Sequence, residues 1–147
     1  MIQLSPDFKE FLRLLNANQA EYLIVGGYAV AHHGYVRTTA DLDIWISVTQ
    51  KNAEKLVVVL QQFGFAVPEL SPALFLEEGR IVRMGVPPIR IEVLTTISGV
   101  TFDECYAERE VAVVDGIPVN VISLEHLKTN KQAAGRYKDL ADLEHLP

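Results

Sequence analysis

Cysteine is nearly absent. The 147-residue chain holds one, Cys105, which leaves no partner for an internal disulfide and no CxxC or Cys/His spacing that suggests zinc. A reducing cytoplasm is the compartment that fits, with Cys105 a packed or half-exposed thiol. Long apolar runs are missing too. No segment approaches the roughly 20 apolar residues that span a bilayer, and the start "MIQLSPDFKEF" lacks the basic opening and apolar stretch of a signal peptide, so neither membrane insertion nor secretion is expected. Positive charge is in deficit: 13 Lys and Arg against 19 Asp and Glu give a net charge of −6. Such a surface does not coat nucleic acid, because that binding rests on neutralising many phosphates, although a local basic cluster can still hold a few. Repeats, low-complexity tracts and linkers are also lacking. What remains is a single expected domain, residues 1–147, long enough to bury its own core without staples.

The elements read in order. "SPDFKEFLRLLNAN" is a helix with Ser5 as its cap, Pro6 in the first turn and Phe8, Phe11, Leu12 and Leu15 on one face. "YLIVGG" is a buried strand running into a turn, and "YAVAHHG" starts a short helix. "DLDIWISV" is a second strand, followed by a helix through "NAEKLVVVLQQFG" with Gly64 as its stop. Strands "GRIVRMG" and "IRIEVLT" flank a turn at Pro87 and Pro88. A short helix near "TFDECYAE", strands near "REVAVV" and "IPVNVI", a helix capped by Ser123 and a last helix over "KDLADLEHL" complete the chain. The class is α/β (α+β), a small mixed sheet flanked by helices.

Three features of this layout carry chemistry. Gly26 and Gly27 stand between a strand and a helix, where missing Cβ atoms let backbone approach a ligand and the helix start presents free N–H groups suited to phosphate. Taken alone, the pair is equally a tight turn. Asp41 and Asp43 alternate with Leu42 and Ile44, so both carboxylates point the same way with Cα atoms about 6.5 to 7 Å apart, a separation at which they can converge on divalent ions. A solvated acidic strand face is the other reading, but two poor strand formers aimed alike repel each other, and a cation offsets that repulsion. Glu92 lies on the polar face of "IRIEVLT". If that strand lies beside "DLDIW", three carboxylates share one patch; otherwise Glu92 is a surface acid paired with Arg90 or a neighbouring Lys.

An apolar strand, a Gly-Gly turn opening a helix, Asp-Leu-Asp flanked by hydrophobics and a later acid on a strand together resemble the nucleotidyltransferase superfamily of DNA polymerase β-like fold. Within it, "R-x-T-x-D-L-D" as Arg37, Thr39, Asp41, Leu42 and Asp43, with the tail Ser123 to Leu146, is most similar to small prokaryotic nucleotidyltransferases of the DUF6036 and AbiEii type. The resemblance covers roughly residues 20 to 147. It implies a small mixed sheet with C-terminal helices, Gly26 and Gly27 holding a triphosphate, and Arg37 and Thr39 beside them. It further implies Asp41 and Asp43 as ligands of Mg²⁺, with Mn²⁺ as the alternative, and Glu92 as the third acid and candidate proton acceptor. Related proteins often carry Asp there, one methylene shorter.

The tail adds cations. Lys128, Lys131, Arg136 and Lys138 cluster in an otherwise acidic chain, and Lys131 is the residue chosen for a β- or γ-phosphate contact, ahead of Arg136 and Lys138; Asp139 and Asp142 are their alternative partners. His32 and His33 are adjacent, about 100° apart on a helix, so that spacing alone does not let both chelate one ion. They are expected to end the short helix at Gly34 or line the site's edge. Trp45 shares a face with Asp43; packing beneath a helix is expected, with stacking on a base as the other role. The expected reaction is Mg²⁺-dependent transfer of a nucleoside monophosphate from an NTP to an acceptor hydroxyl, RNA among the candidates, with pyrophosphate leaving. A toxin–antitoxin component that works through a protein partner, and a nucleotide-binding domain without turnover, are the other readings.

Overall fold

The computed structural model describes residues 3–147. Helix α1 (Pro6–Ala17) begins where Ser5 Oγ accepts the Phe8 N–H, and it buries Phe8, Phe11, Leu12 and Leu15. That spacing puts all four on one stripe, and truncating any of them costs about 2 to 5 kcal/mol. Strand β1 (Tyr22–Val25) is buried along its whole length and leads into α2 (Gly26–His32). After β2 (Asp41–Ile46) comes α3 (Gln50–Phe63), capped by Thr49 Oγ1 and ended by Gly64 in the left-handed conformation, φ +99. A 3₁₀ turn at Pro72–Phe75, which the sequence reading does not contain, drops Phe75 into the core. The Pro87–Pro88 turn joins β3 (Ile81–Val86) to β4 (Ile89–Leu94). Then come α4 (Phe102–Ala107), β5 (Glu110–Val114) and β6 (Ile117–Val121). Two helices close the chain, α5 (Leu124–Ala134), capped by Ser123, and α6 (Tyr137–His145).

The six strands form one mixed sheet in the order β3-β4-β2-β1-β6-β5. Strand β2 lies in its middle, antiparallel to β1 and parallel to β4. Central strands are wetted on neither edge, so the apolar side chains of β2 are forced inward: Leu42, Ile44 and Ile46 are fully buried. Their neighbours Asp41 and Asp43 then have only the opposite face. Helices α1 and α3 pack on each other, α2 packs on β1 and β2, and α5 on α6. Among the described residues no helix is long and apolar enough to cross a membrane.

Candidate active site

Val25 is extended, Gly26 takes φ +68, and α2 starts there without a side-chain cap. The helix thus opens at the glycines themselves, two residues before the "YAVAHHG" start expected from sequence. A positive φ favours glycine, and space excludes a side chain as well. A Cβ on Gly26 would stand 2.1 Å from Asp43 Oδ2, and one on Gly27 would stand 2.3 Å from Thr39 Oγ1. More than turn chemistry is therefore at stake: each glycine lets backbone lie against a polar group of the neighbouring segment.

Strand β4 does lie beside β2, with Asp43 opposite Glu92 and Asp41 opposite Arg90. Gly26, Gly27, Arg37, Thr39, Asp41, Asp43, Glu92 and Lys131 all line one cleft of about 380 Å³. Residues from distant parts of the chain meet there because the parallel β2–β4 pair sets the acids side by side, while a bond between Arg37 and Asp142, 105 positions apart, fastens the tail helices over them.

The three carboxylates differ in their surroundings. Arg90 clamps Asp41 through Nε and Nη2 at 3.2 and 2.8 Å, and that pairing holds the Asp41 carboxyl below the usual range. Arg83 Nε donates to Glu92 Oε2 at 2.8 Å, while Arg90 reaches only 4.0 Å from Glu92. Asp43 belongs to neither pair. Burial, and then the charges of Glu92 and Asp41, push its carboxyl up to about 7. A carboxyl whose charged form is disfavoured by burial and by like charges is a group that a cation relieves, and an all-oxygen donor set suits a hard divalent ion. Arg90 and Arg83 stand beside Asp41 and Glu92 where such an ion would compensate charge, so a cation would enter by displacing a guanidinium. Neither arginine was assigned to the site from sequence; Arg90 shares the polar face of β4 with Glu92, the signal that could have drawn it in.

The cations behind the cleft are largely engaged. Arg37 donates to both oxygens of Asp142 at 2.7 and 2.9 Å. Lys131 is buried, with Nζ 3.1 Å from Asp139 and 3.0 Å from Asp142. Arg136 closes a capping box on Asp139. Desolvation raises Asp139 and Asp142, but their cationic partners outweigh it and hold both carboxyls low. Lys131 therefore lines the cleft with its ammonium engaged by Asp139 and Asp142. Lys138 is the exposed lysine of the cleft that is in no ion pair among the described residues, and its charge lowers both Asp41 and Asp43. Lys128 lies outside the cleft, bonded to the Pro147 carbonyl.

Trp45 packs in the core, edge-on to Phe102 at 5.2 Å, and its Nε1 donates to the Thr95 carbonyl. The histidines end α2 ahead of Gly34, as the sequence leads one to expect, and they gain a neighbour that the sequence does not show. His32, His33 and Glu110 bring three donor atoms within 4.8 Å of one another, a convergence that the cleft acids do not reach among the described residues. The 100° argument assumes a continuous helix, whereas α2 ends at His32 and His33 is its cap with ψ 8.

The fold has known counterparts. A Thermotoga maritima protein provisionally assigned as a nucleotidyltransferase superposes with a TM-score of 0.65 at 14% identity, over 98% of this chain and 94% of that one. ANT(2″)-Ia, crystallised with adenylyl-2″-tobramycin, superposes with a TM-score of 0.55 at 15% identity, over 93% and 83% of the two chains. An antigenic nucleotidyltransferase-like protein from Paracoccidioides brasiliensis gives 0.56 at 19% identity, over 94% and 73%. No protein-family model matches the sequence, and no curated protein does. The chain thus has the nucleotidyltransferase fold, at identities that carry fold and no more.

Proposed function

We propose that the protein is a nucleotidyltransferase that moves a nucleoside monophosphate from a nucleoside triphosphate to an acceptor hydroxyl, releasing pyrophosphate. The observation that carries this reading is Asp43. It is a carboxyl pushed to about 7 by burial and by Glu92 and Asp41, pressed on the backbone of Gly26, in a cleft lined by five cationic side chains and three carboxylates. Cationic side chains set around three carboxylates suit a polyanion brought in with divalent cations.

In this reading Asp41, Asp43 and Glu92 hold Mg²⁺ or Mn²⁺. When bound, the ions supply Lewis acidity at the reacting phosphoryl group and charge neutralisation at the departing oxygen. The remaining work falls to side chains and backbone of the chain. The N–H groups of Gly26 and Gly27 donate to phosphate oxygens where a Cβ would obstruct them. Thr39 Oγ1, seated against Gly27, donates a further hydrogen bond. Lys138 takes the phosphate role first expected of Lys131, and Arg83 and Arg90, once released from Glu92 and Asp41, face the triphosphate. Arg37 and Lys131 act through Asp142 and Asp139, fixing the tail helices over the cleft. Glu92 accepts the proton of the attacking hydroxyl. The likeness of Ser123 to Leu146 to the DUF6036 and AbiEii type supports a place among the small prokaryotic members of this fold.

The test is label transfer with Mg²⁺ and a panel of hydroxyl acceptors, from sugars and aminoglycosides to RNA ends. Label passing from the α-phosphate and not from the γ-phosphate, and lost in Asp41→Asn/Asp43→Asn, is the expected result. Transfer from the γ-phosphate, or equal transfer by the double variant, would overturn the proposal. Absence of NTP binding by folded protein would favour the partner-binding reading instead.

A further inference from the structure

At the far end of α2 from the glycines, His32 Nε2 lies 3.3 Å from Glu110 Oε1, and His33 Nδ1 lies 3.9 Å from Glu110 Oε2. All three donor atoms fall within 4.8 Å of one another. The two imidazole rings meet at 76°, edge to face, with centroids 4.8 Å apart. His33 is fastened from behind: its Nε2 is 2.7 Å from the Ile122 carbonyl, which only accepts, so Nε2 carries the proton. In the neutral ring Nδ1 is then a bare lone pair, and it faces a carboxylate that also only accepts. An ordinary hydrogen bond accounts for His32 with Glu110. It leaves His33 Nδ1 opposed to Glu110 Oε2, an opposition that a proton on Nδ1 or a metal ion between the two resolves.

We infer that His32, His33 and Glu110 form a binding site for a borderline transition-metal ion of the Zn²⁺ class, separate from the acidic cleft. Two imidazoles and one carboxylate are a donor set for Zn²⁺, Ni²⁺ or Cu²⁺ and a poor one for Mg²⁺. Tetrahedral bonds of about 2.0 to 2.1 Å separate neighbouring ligand atoms by about 3.3 Å. The His32–Glu110 edge already has that length; the His33–Glu110 edge closes by movement of Glu110, whose side chain is 49% exposed, and the edge between the two histidines closes by rotation of the His32 ring, 21% exposed, toward His33, 6% exposed. The Ile122 carbonyl supplies the backing hydrogen bond that ligating histidines generally make through their second nitrogen. Water completes the coordination. Since Glu110 opens the edge strand β5 and the histidines end α2, the ion clips two elements 78 residues apart in the chain.

The test uses the Asp41→Asn/Asp43→Asn protein as the host, so that metal bound in the acidic cleft does not confuse the result. Zn²⁺ titrated into this host should bind at one ion per chain, and at one hundred times its Kd should raise the thermal midpoint by about 5 to 10 °C. Co²⁺ in its place should develop the visible absorption of a four- or five-coordinate ion. Adding His32→Ala, or separately Glu110→Gln, to the host should weaken Zn²⁺ binding at least tenfold and abolish the Co²⁺ bands. Both side chains are partly exposed, so both variants keep the fold, which circular dichroism verifies. A host that binds no Zn²⁺, or one whose binding survives both additional changes, would overturn the inference.

Discussion

Replacing Asp43 with Asn should stabilise the metal-free protein above neutral pH while removing its response to Mg²⁺. The folded protein lifts the Asp43 carboxyl from 3.8 to about 7, so between those values the folded state holds a proton that the unfolded chain has released. Stability from this group is therefore fully present below about 3.8 and declines as pH rises to about 7. Above that the whole deficit is felt. Three pH units at about 1.4 kcal/mol each give about 4 kcal/mol at most. Asn carries no charge at any pH and avoids this deficit, although its buried amide gives back about 1 to 2 kcal/mol where it lacks partners. The net expectation at pH 8 is a gain of about 2 to 3 kcal/mol, or about 5 to 10 °C in Tm for a chain of this size. At pH 4, where the carboxylate deficit has almost vanished, the amide cost stands alone and the variant should be about 1 to 2 kcal/mol less stable than the wild type. Scanning calorimetry of both from pH 4 to 8, without and with Mg²⁺, reads the difference directly. The wild type should gain stability from Mg²⁺ at pH 8 and Asp43→Asn should not. A variant less stable than wild type at pH 8, or a difference that does not change with pH, would refute the account of a carboxyl strained by burial and like charge.

Three further outcomes follow from the same geometry. Gly26→Ala sets a methyl group 2.1 Å from Asp43 Oδ2 at φ +68; it should lower stability by about 1 to 3 kcal/mol in a denaturant titration and weaken NTP binding at least tenfold. Asp142→Ala strips both Arg37 and Lys131 of a shared carboxylate; loss of such a buried partner should cost about 3 to 5 kcal/mol, read by urea unfolding at pH 7. Lys138→Ala, at an exposed position without an ion pair among the described residues, should change stability by less than about 0.5 kcal/mol. Its triphosphate affinity should nevertheless fall about tenfold, with a shallower salt dependence of binding.

Much of the fold is legible because its signals are local. Ser5 and Ser123 cap helices where the sequence puts them, Gly64 ends one, and the alternation in "DLDIW" and "IRIEV" assigns each residue to its face. The 3₁₀ turn at Pro72–Phe75 has no periodicity to betray it; only Phe75 finding the core accounts for it. Strand order is a long-range property, so the sequence could state the meeting of Asp43 with Glu92 only as a condition, and the parallel β2–β4 register fulfils it. The same limit governs the charges. Sequence shows that Lys131, Arg136 and Lys138 are close together, but not that Asp139 and Asp142 hold the first in ion pairs while the last has none among the described residues. His32 and His33 gain a third donor only because β5 comes alongside the end of α2. Residue type and spacing were enough to nominate the cleft. Which cation faces it, and which is locked behind it, depends on packing that no short motif encodes.

Calorimetric titration of each NTP with Mg²⁺ into wild-type protein and into Asp41→Asn/Asp43→Asn tests the central claim without knowledge of the acceptor. The account predicts saturable, Mg²⁺-dependent binding to the wild type with proton release near pH 7, and loss of that binding in a double variant that remains folded. Binding of equal strength to both proteins, or none to the folded wild type, would contradict it.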